Sequence, residues 1–139
     1  MTIHVRDLSI PDELDREISR ESADRATTWS ALATELLDEA LRMRRAPGVV
    51  FADGPAGRRA VLAGTGLDVW EVVATWRAAG EAFSELRQSY AWLTEPQLRA
   101  ALAYYELYPD EIDARLDREG KWTPERAASD LPFARPRNG

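Results

Sequence analysis

Of the side chains that carry proton, metal or nucleophile chemistry, this chain of 139 residues has a single histidine, His4, and no cysteine. A Ser-His-Asp arrangement needs an imidazole beside its nucleophile, and a histidine-rich metal site needs several donors, so neither can be built within one chain. The lack of cysteine excludes a disulfide scaffold, a CxxC redox motif and a thiolate zinc finger, and fits a reducing cytoplasm. Asp110, Glu111, Asp113 and Asp117 lie close together, but on an amphipathic helix beside a turn, where a solvated acidic face is the expected role. Gly64-Thr65-Gly66 and Asp53-Gly54-Pro55 lack the Lys and Ser/Thr of a phosphate loop and read as turns. The expectation is a protein that is not an enzyme, with no metal and no cofactor.

Binding is then the chemistry left to consider. The formal net charge of −6 argues against indiscriminate attachment to polyanions. The charge is unevenly spread: residues 1–46 hold seven Arg against ten acids, residues 47–119 seven against twelve, and residues 120–139 four cations against two acids. No apolar run approaches the roughly twenty residues that span a bilayer, and the opening MTIHVRDL lacks a basic stretch followed by an apolar one. A soluble, cytoplasmic protein with no membrane partner is expected.

The elements that would position binding residues fall into three segments. Ala46-Pro47-Gly48 follows an Arg-rich helix end and precedes a short β-branched run, and Gly120 opens a segment in which Pro124, Pro132 and Pro136 forbid a continuous helix. The boundaries are therefore 1–46, 47–119 and 120–139. In the first segment Thr2, His4 and Arg6 alternate with Ile3 and Val5, the period of a strand with one buried face. Ser9, with Pro11 and Asp12 behind it, predicts a helix start, and Leu14 and Ile18 follow Ile10 at steps of four. A second helix is predicted behind Thr28, with Trp29, Leu32, Ala33, Leu36, Leu37, Ala40 and Leu41 on one stripe. One strand cannot satisfy its own backbone, and the second helix carries more apolar surface than one thin partner covers, so a homodimer is expected. Paired antiparallel, two such strands form a ribbon that presents Thr2, His4 and Arg6 and fits the major groove.

The string IHVRDLSIPDELDREI...TTWSALATELLDEAL resembles the ribbon-helix-helix repressors, and its opening VRDL is similar to VapB-like and FitA-like antitoxins; the resemblance covers residues 2–45. It implies that Thr2, His4 and Arg6 face operator bases while Thr28 and Ser30 clamp a phosphate at the start of the second helix.

In the middle segment, Val49–Phe51 and Arg59–Leu62 read as two strands around a Gly/Pro turn. Asp68 with Glu71 opens a helix carrying Val69, Val72, Val73 and Trp76 that ends at Gly80. A short helix over Phe83, Leu86 and Tyr90 follows. Thr94 with Gln97 then opens a longer one predicted to bury Leu98, Ala101, Leu102 and Tyr105, and a last helix carries Ile112 and Leu116. Trp70, Trp76, Trp92, Tyr104 and Tyr105 are expected in the core. The string RRAVLAGTGLDVWEVV...AAGEAFSELRQSYAWLTEPQLRAALAYYELYP resembles the small helix-turn-helix family catalogued as domain of unknown function four-three-three, over about residues 48–109. Members resemble antitoxins of the VapB-forty-five type, often partnered with PIN-like toxins. As a recognition helix, the longer one would offer Gln97 and Arg99 as a second DNA contact, although Glu95 beside them repels phosphate, and packing or dimerisation is the role expected of this segment.

In the last segment Trp122, Leu131 and Phe133 are interleaved with Arg126, Arg135 and Arg137, a composition that could order on a groove with acidic and apolar spots. The resemblance implies a PIN-like ribonuclease as the toxin bound there, with an Arg pairing with its metal-gathering carboxylates. The expected fold is thus mainly α: a dimeric ribbon-helix-helix of one strand and two helices, then a small helix-turn-helix domain with a short β-hairpin. The expected function is the antitoxin of a toxin-antitoxin pair. A ribbon-helix-helix regulator without a toxin and a helical adaptor without DNA function are the competing readings.

Overall fold

The structure is a computed structural model that describes residues 1–120. Its chain divides into two compact units, Met1–Arg44 and Arg45–Gly139. The first holds α1 (Asp12–Asp24) and nearly all of α2 (Trp29–Arg45). The second holds β1 (Val49–Gly54), β2 (Gly57–Leu62), α3 (Val69–Ala78), α4 (Phe83–Ser89), α5 (Glu95–Leu107) and α6 (Pro109–Gly120). The predominantly helical composition with one small antiparallel hairpin is as expected.

The first unit differs from expectation in two ways. No strand forms over residues 2–6; residues 1–11 carry no regular structure, and among the described residues the strands are β1 and β2, which pair with each other. The physical reason is the one that made a dimer necessary: a lone strand leaves every backbone N–H and C=O without a partner in a single chain. Nor is Ser9 the cap of α1. The helix begins after Pro11, whose own backbone is extended at φ −58° and ψ 145°, and Asp15 N donates to the Pro11 carbonyl at 3.0 Å. Proline holds the residue before it out of the helical region, so Ile10 cannot join the first turn and Ser9 lies outside it. Asp12, Glu13 and Asp15 complement the positive end of this helix instead. In α2 the cap is as expected, with Thr28 Oγ1 accepting from Ala31 N at 3.0 Å.

The interior of the first unit is thin. Ile18 and Leu32 are its buried apolar residues, accompanied by Ser22 and Glu39. Leu14, Leu36, Leu37 and Leu41, spaced for a core, remain 41–62% exposed.

The second unit has a continuous core. Gly54 and Gly57 close the hairpin around Pro55-Ala56, in a register that runs from Gly54↔Gly57 to Val49↔Leu62. Val49 and Leu62 meet Val69, Val72 and Val73 of α3, Leu86 of α4, Leu98, Ala101 and Tyr104 of α5 and Ile112 of α6, all buried. Each such aliphatic side chain contributes about 1.5–3 kcal/mol of burial. The α3–α5 pair forms the middle, with α4 and α6 on its flanks and the hairpin against α5 and α3. The buried stripe of α5 runs through Tyr104 rather than Tyr105, which with Leu102 packs on the margin of the core. Gly48 shows how close the packing is: its φ is +96°, and a Cβ there would meet Ala100 Cβ at 3.2 Å. Trp92, expected inside, is 63% exposed, because its neighbour Leu93 takes the inward position of the turn between α4 and α5.

Asp68 joins the hairpin to the helices. Gly64 and Gly66, at φ +74° and +73°, turn the chain back so that Asp68 bridges to Val61 beside β2. Its backbone N–H donates to Glu71 Oε2 at 2.9 Å, half of a capping box at the start of α3. Its carboxylate, on a residue 6% exposed, accepts from Trp70 Nε1 at 3.0 Å and is ion-paired with Arg59 of β2. Removing it would leave both donors unpartnered, so Asp68→Ala is expected to cost about 1–3 kcal/mol in urea unfolding, and Asp68→Asn, which keeps an acceptor, clearly less.

Candidate nucleic-acid interface

The residues expected to read DNA lie in two separate places, each within its own unit. In the first unit Thr2, His4 and Arg6 are all exposed, and so are the alternating Ile3 and Val5, at 83% and 90%. The alternation is therefore in the sequence but is not sorted into an inner and an outer face in the single chain. Two apolar side chains left in water on the arm of residues 1–11 are a cost that pairing would remove.

Thr28 and Ser30 sit together at the start of α2, both exposed. The Thr28 hydroxyl oxygen is engaged as the helix cap, and the Ser30 carbonyl accepts from Thr34 Oγ1 at 2.8 Å. The first turn of α2 contains no acidic residue, so the positive end of its dipole is not neutralised from within, in contrast to α1. Between them, Trp29 buries its indole N–H without a hydrogen-bond partner among the described residues. A donor in that state is a site of unspent hydrogen-bonding capacity at the helix start.

In the second unit, α4, the turn at Ala91-Trp92-Leu93 and α5 form the expected helical pair, but its two candidate contacts are already committed. Gln97 folds back so that its Oε1 accepts from Thr94 N at 2.8 Å, while Thr94 Oγ1 accepts from Gln97 N at 3.3 Å. Arg99 pairs with Glu95 at 2.8 Å and lies 4.3 Å over the Phe83 ring. Glu95 also faces Arg87 at 3.6 Å. The start of α5 is thus locally neutralised and hydrogen-bonded, a poor surface for phosphate. Its outer side is braced by Arg77 of α3: Arg77 donates to Tyr105 OH and, at 3.0 Å, to Asp113 Oδ1 of α6, and Tyr105 OH donates to the same Asp113 oxygen at 2.6 Å.

One group that the sequence reading did not single out is concentrated here. Arg58, Arg59, Arg115 and Arg118 line a single cleft beside Trp70. The signal was present in the adjacent pair after the hairpin turn and in the i, i+3 pair on α6, but β2 and α6 are brought together only by the fold. The toxin-binding candidates Trp122, Arg126, Leu131, Phe133, Arg135 and Arg137 lie outside the described residues. Among the described residues no group of His, Asp or Glu is arranged to hold a metal ion, and no helix is long and apolar enough to cross a membrane.

Residues 49–105 match the model of a family described as a protein of unknown function, DUF433. The match takes in the hairpin, α3, α4 and most of α5, and leaves the first unit and α6 outside it. No curated protein and no solved structure matches the chain.

The brace on α5 has a pH signature. The hydrogen bond to Asp113, followed by burial, raises the Tyr105 pKa above its ordinary value of 10.0, against the opposing pull of Arg77. A folded-state pKa above the unfolded one means that this contribution to stability is complete below about pH 10 and is lost as pH rises through the folded pKa. Tyr105→Phe removes it, so the stability difference between the wild type and this variant should be flat up to about pH 10 and shrink above it in urea titrations at fixed pH.

Proposed function

We propose that the protein is a dimeric, operator-binding antitoxin that represses its own transcription and neutralises a PIN-like ribonuclease. The observation that carries this reading is the uncovered apolar surface of the first unit: Ile3, Val5, Leu36, Leu37 and Leu41 are spaced for burial, yet each is at least 41% exposed in the single chain. Antiparallel pairing of two N-terminal arms would satisfy their backbone and cover Ile3 and Val5, and the helices of both chains would shield the leucines beneath. Thr2, His4 and Arg6 would then share the outer face of a two-stranded ribbon, the width of which suits the major groove. Thr28 and Ser30, at an α2 terminus free of acids, would hold the flanking phosphate.

The second unit supports this reading as a folded partner domain rather than as a second reading head, since Gln97 and Arg99 are held internally. The toxin-binding half of the proposal rests on the basic, aromatic composition of residues 120–139 and on the resemblance of the two segments to antitoxins.

The test is a salt titration of binding to the DNA upstream of its own reading frame. Wild type should prefer this DNA over unrelated sequence, and Arg6→Ala should lose about 1–3 kcal/mol per half-site and most of that preference. Equal binding of both proteins to both DNAs would end the ribbon reading. Deleting residues 120–139 should leave operator binding intact while abolishing protection against the toxin encoded beside it; protection that survives the deletion would remove the tail from the mechanism.

A further inference from the structure

Residues 47–119, within the second unit, carry seven of the chain's arginines. Arg77, Arg87 and Arg99 are distributed around the helices and paired with Asp113 or Glu95. The other four are gathered around one open cleft of about 440 Å³, formed by the hairpin turn, the start of α3 and α6. A volume of this order suits a small molecule. It is the location of positive charge in a chain whose net charge is −6 that makes the cleft unusual.

Three of these four arginines are held in place rather than loosely solvated. Arg59 crosses the hairpin over Gly54, where a Cβ would come within 3.0 Å of its Cδ. It is anchored by Asp68 and by a bond from its Nε to the Asp53 carbonyl at 3.3 Å, and the Asp68 carboxylate is itself fixed by Trp70 Nε1. Arg115 stands 5.0 Å over the Trp70 ring, with its Nε on Glu119 at 2.8 Å. Arg58 pairs with Asp53 at 3.0 Å across the strands. Arg118, one helical step from Arg115 on the same face of α6, has no ion pair among the described residues. The guanidiniums of Arg59, Arg115 and Arg118 each have five donors in a fixed fork, and the ion pairs named occupy only part of that capacity.

We propose that this cleft binds a small phosphorylated ligand. A planar carboxylate is satisfied by one fork, whereas arginines arriving from both β2 and α6 suit the several acceptor oxygens and double charge of a tetrahedral phosphate monoester. The acids on the lining, Asp53, Asp68 and Glu71, are spoken for by Arg58, Arg59 and the Asp68 backbone N–H. This site is independent of the ribbon reading: it lies in the other unit and shares no residue with it.

The experiment uses the full chain labelled with nitrogen-15, titrated at low salt with adenosine monophosphate, with succinate as a dianion of equal charge and with a short thymidine oligonucleotide. Adenosine monophosphate should produce saturable shifts of the Trp70 indole and the Arg58 and Arg59 amides, and Arg115→Ala with Arg118→Ala should weaken its affinity by about tenfold or more. Arg118 is exposed and Arg115 is half-buried over Trp70, and an unchanged circular dichroism spectrum shows that the fold is kept. Three outcomes overturn the proposal: no saturation up to about 10 mM, an affinity unchanged by the double variant, or succinate binding as well as the nucleotide. Affinity for the oligonucleotide that exceeds that for the mononucleotide and grows with its length would also overturn it, and would make the cleft a polynucleotide surface. None of these outcomes bears on whether Arg6→Ala affects operator DNA.

Discussion

The second unit is organised around one buried carboxylate. A two-stranded hairpin is marginal by itself in water, and β1–β2 persists because its inner face is covered by α3 and α5. Asp68 fixes where that covering begins. It ends the glycine turn, bridges to Val61, opens α3 and ties Arg59 and Trp70 to one point. A carboxylate at 6% exposure is tolerated only when donors surround it, and the pair of donors it collects belongs to the two elements that must stay in register. The same side chain therefore sets strand–helix geometry and the direction in which two cleft residues point.

Charge is arranged by element, not by composition. Around the α4–α5 turn every arginine meets a carboxylate or an aromatic face, so a helical pair that has the spacing of a DNA reader has no cationic surface to offer. Beside the hairpin, β2 and the last turns of α6 each bring two arginines to one place, where Arg58, Arg59 and Arg115 meet Asp53, Asp68 and Glu119 and Arg118 has no ion pair among the described residues. A chain with an excess of acids can thus gather arginines around one concavity, and the net charge alone conceals it.

What was legible in the sequence was what local chemistry decides. Pro55-Ala56 between two glycines announced the hairpin, and Asp68 with Glu71 and Thr94 with Gln97 announced the starts of α3 and α5. Ser9 misled because its spacing to Asp12 resembles a capping pattern, while the restraint that proline places on Ile10 settles the helix start two residues later. Trp92 misled because size argued for burial, yet a turn can send only one of two neighbours inward and Leu93 was the one. On α5, Leu98, Ala101 and Tyr104 are in the core as expected, while Leu102 and Tyr105 lie at its edge, since a half-apolar helix carries two adjacent candidate faces and packing against its neighbours chooses between them. The arm at residues 2–6 has the alternation of a strand, but pattern specifies which side would be buried and not the partner that must supply the burial. The arginine cleft was illegible because its members are separated by more than fifty residues in sequence, and nothing in local periodicity links them.

In the proposed dimer, the thin interior of the first unit would tie its persistence to mass action. With Ile18 and Leu32 as its buried apolar residues and its leucine stripe in water, the folded form of this unit would draw its stability from the second copy that covers that stripe, and so from the abundance of that copy. The second unit, with its closed core, needs no such cover. One polypeptide would then join a part whose half-life follows cellular concentration to a part whose half-life does not. A protease that attacks only opened chain would erode the former as the protein becomes scarce, making scarcity self-reinforcing.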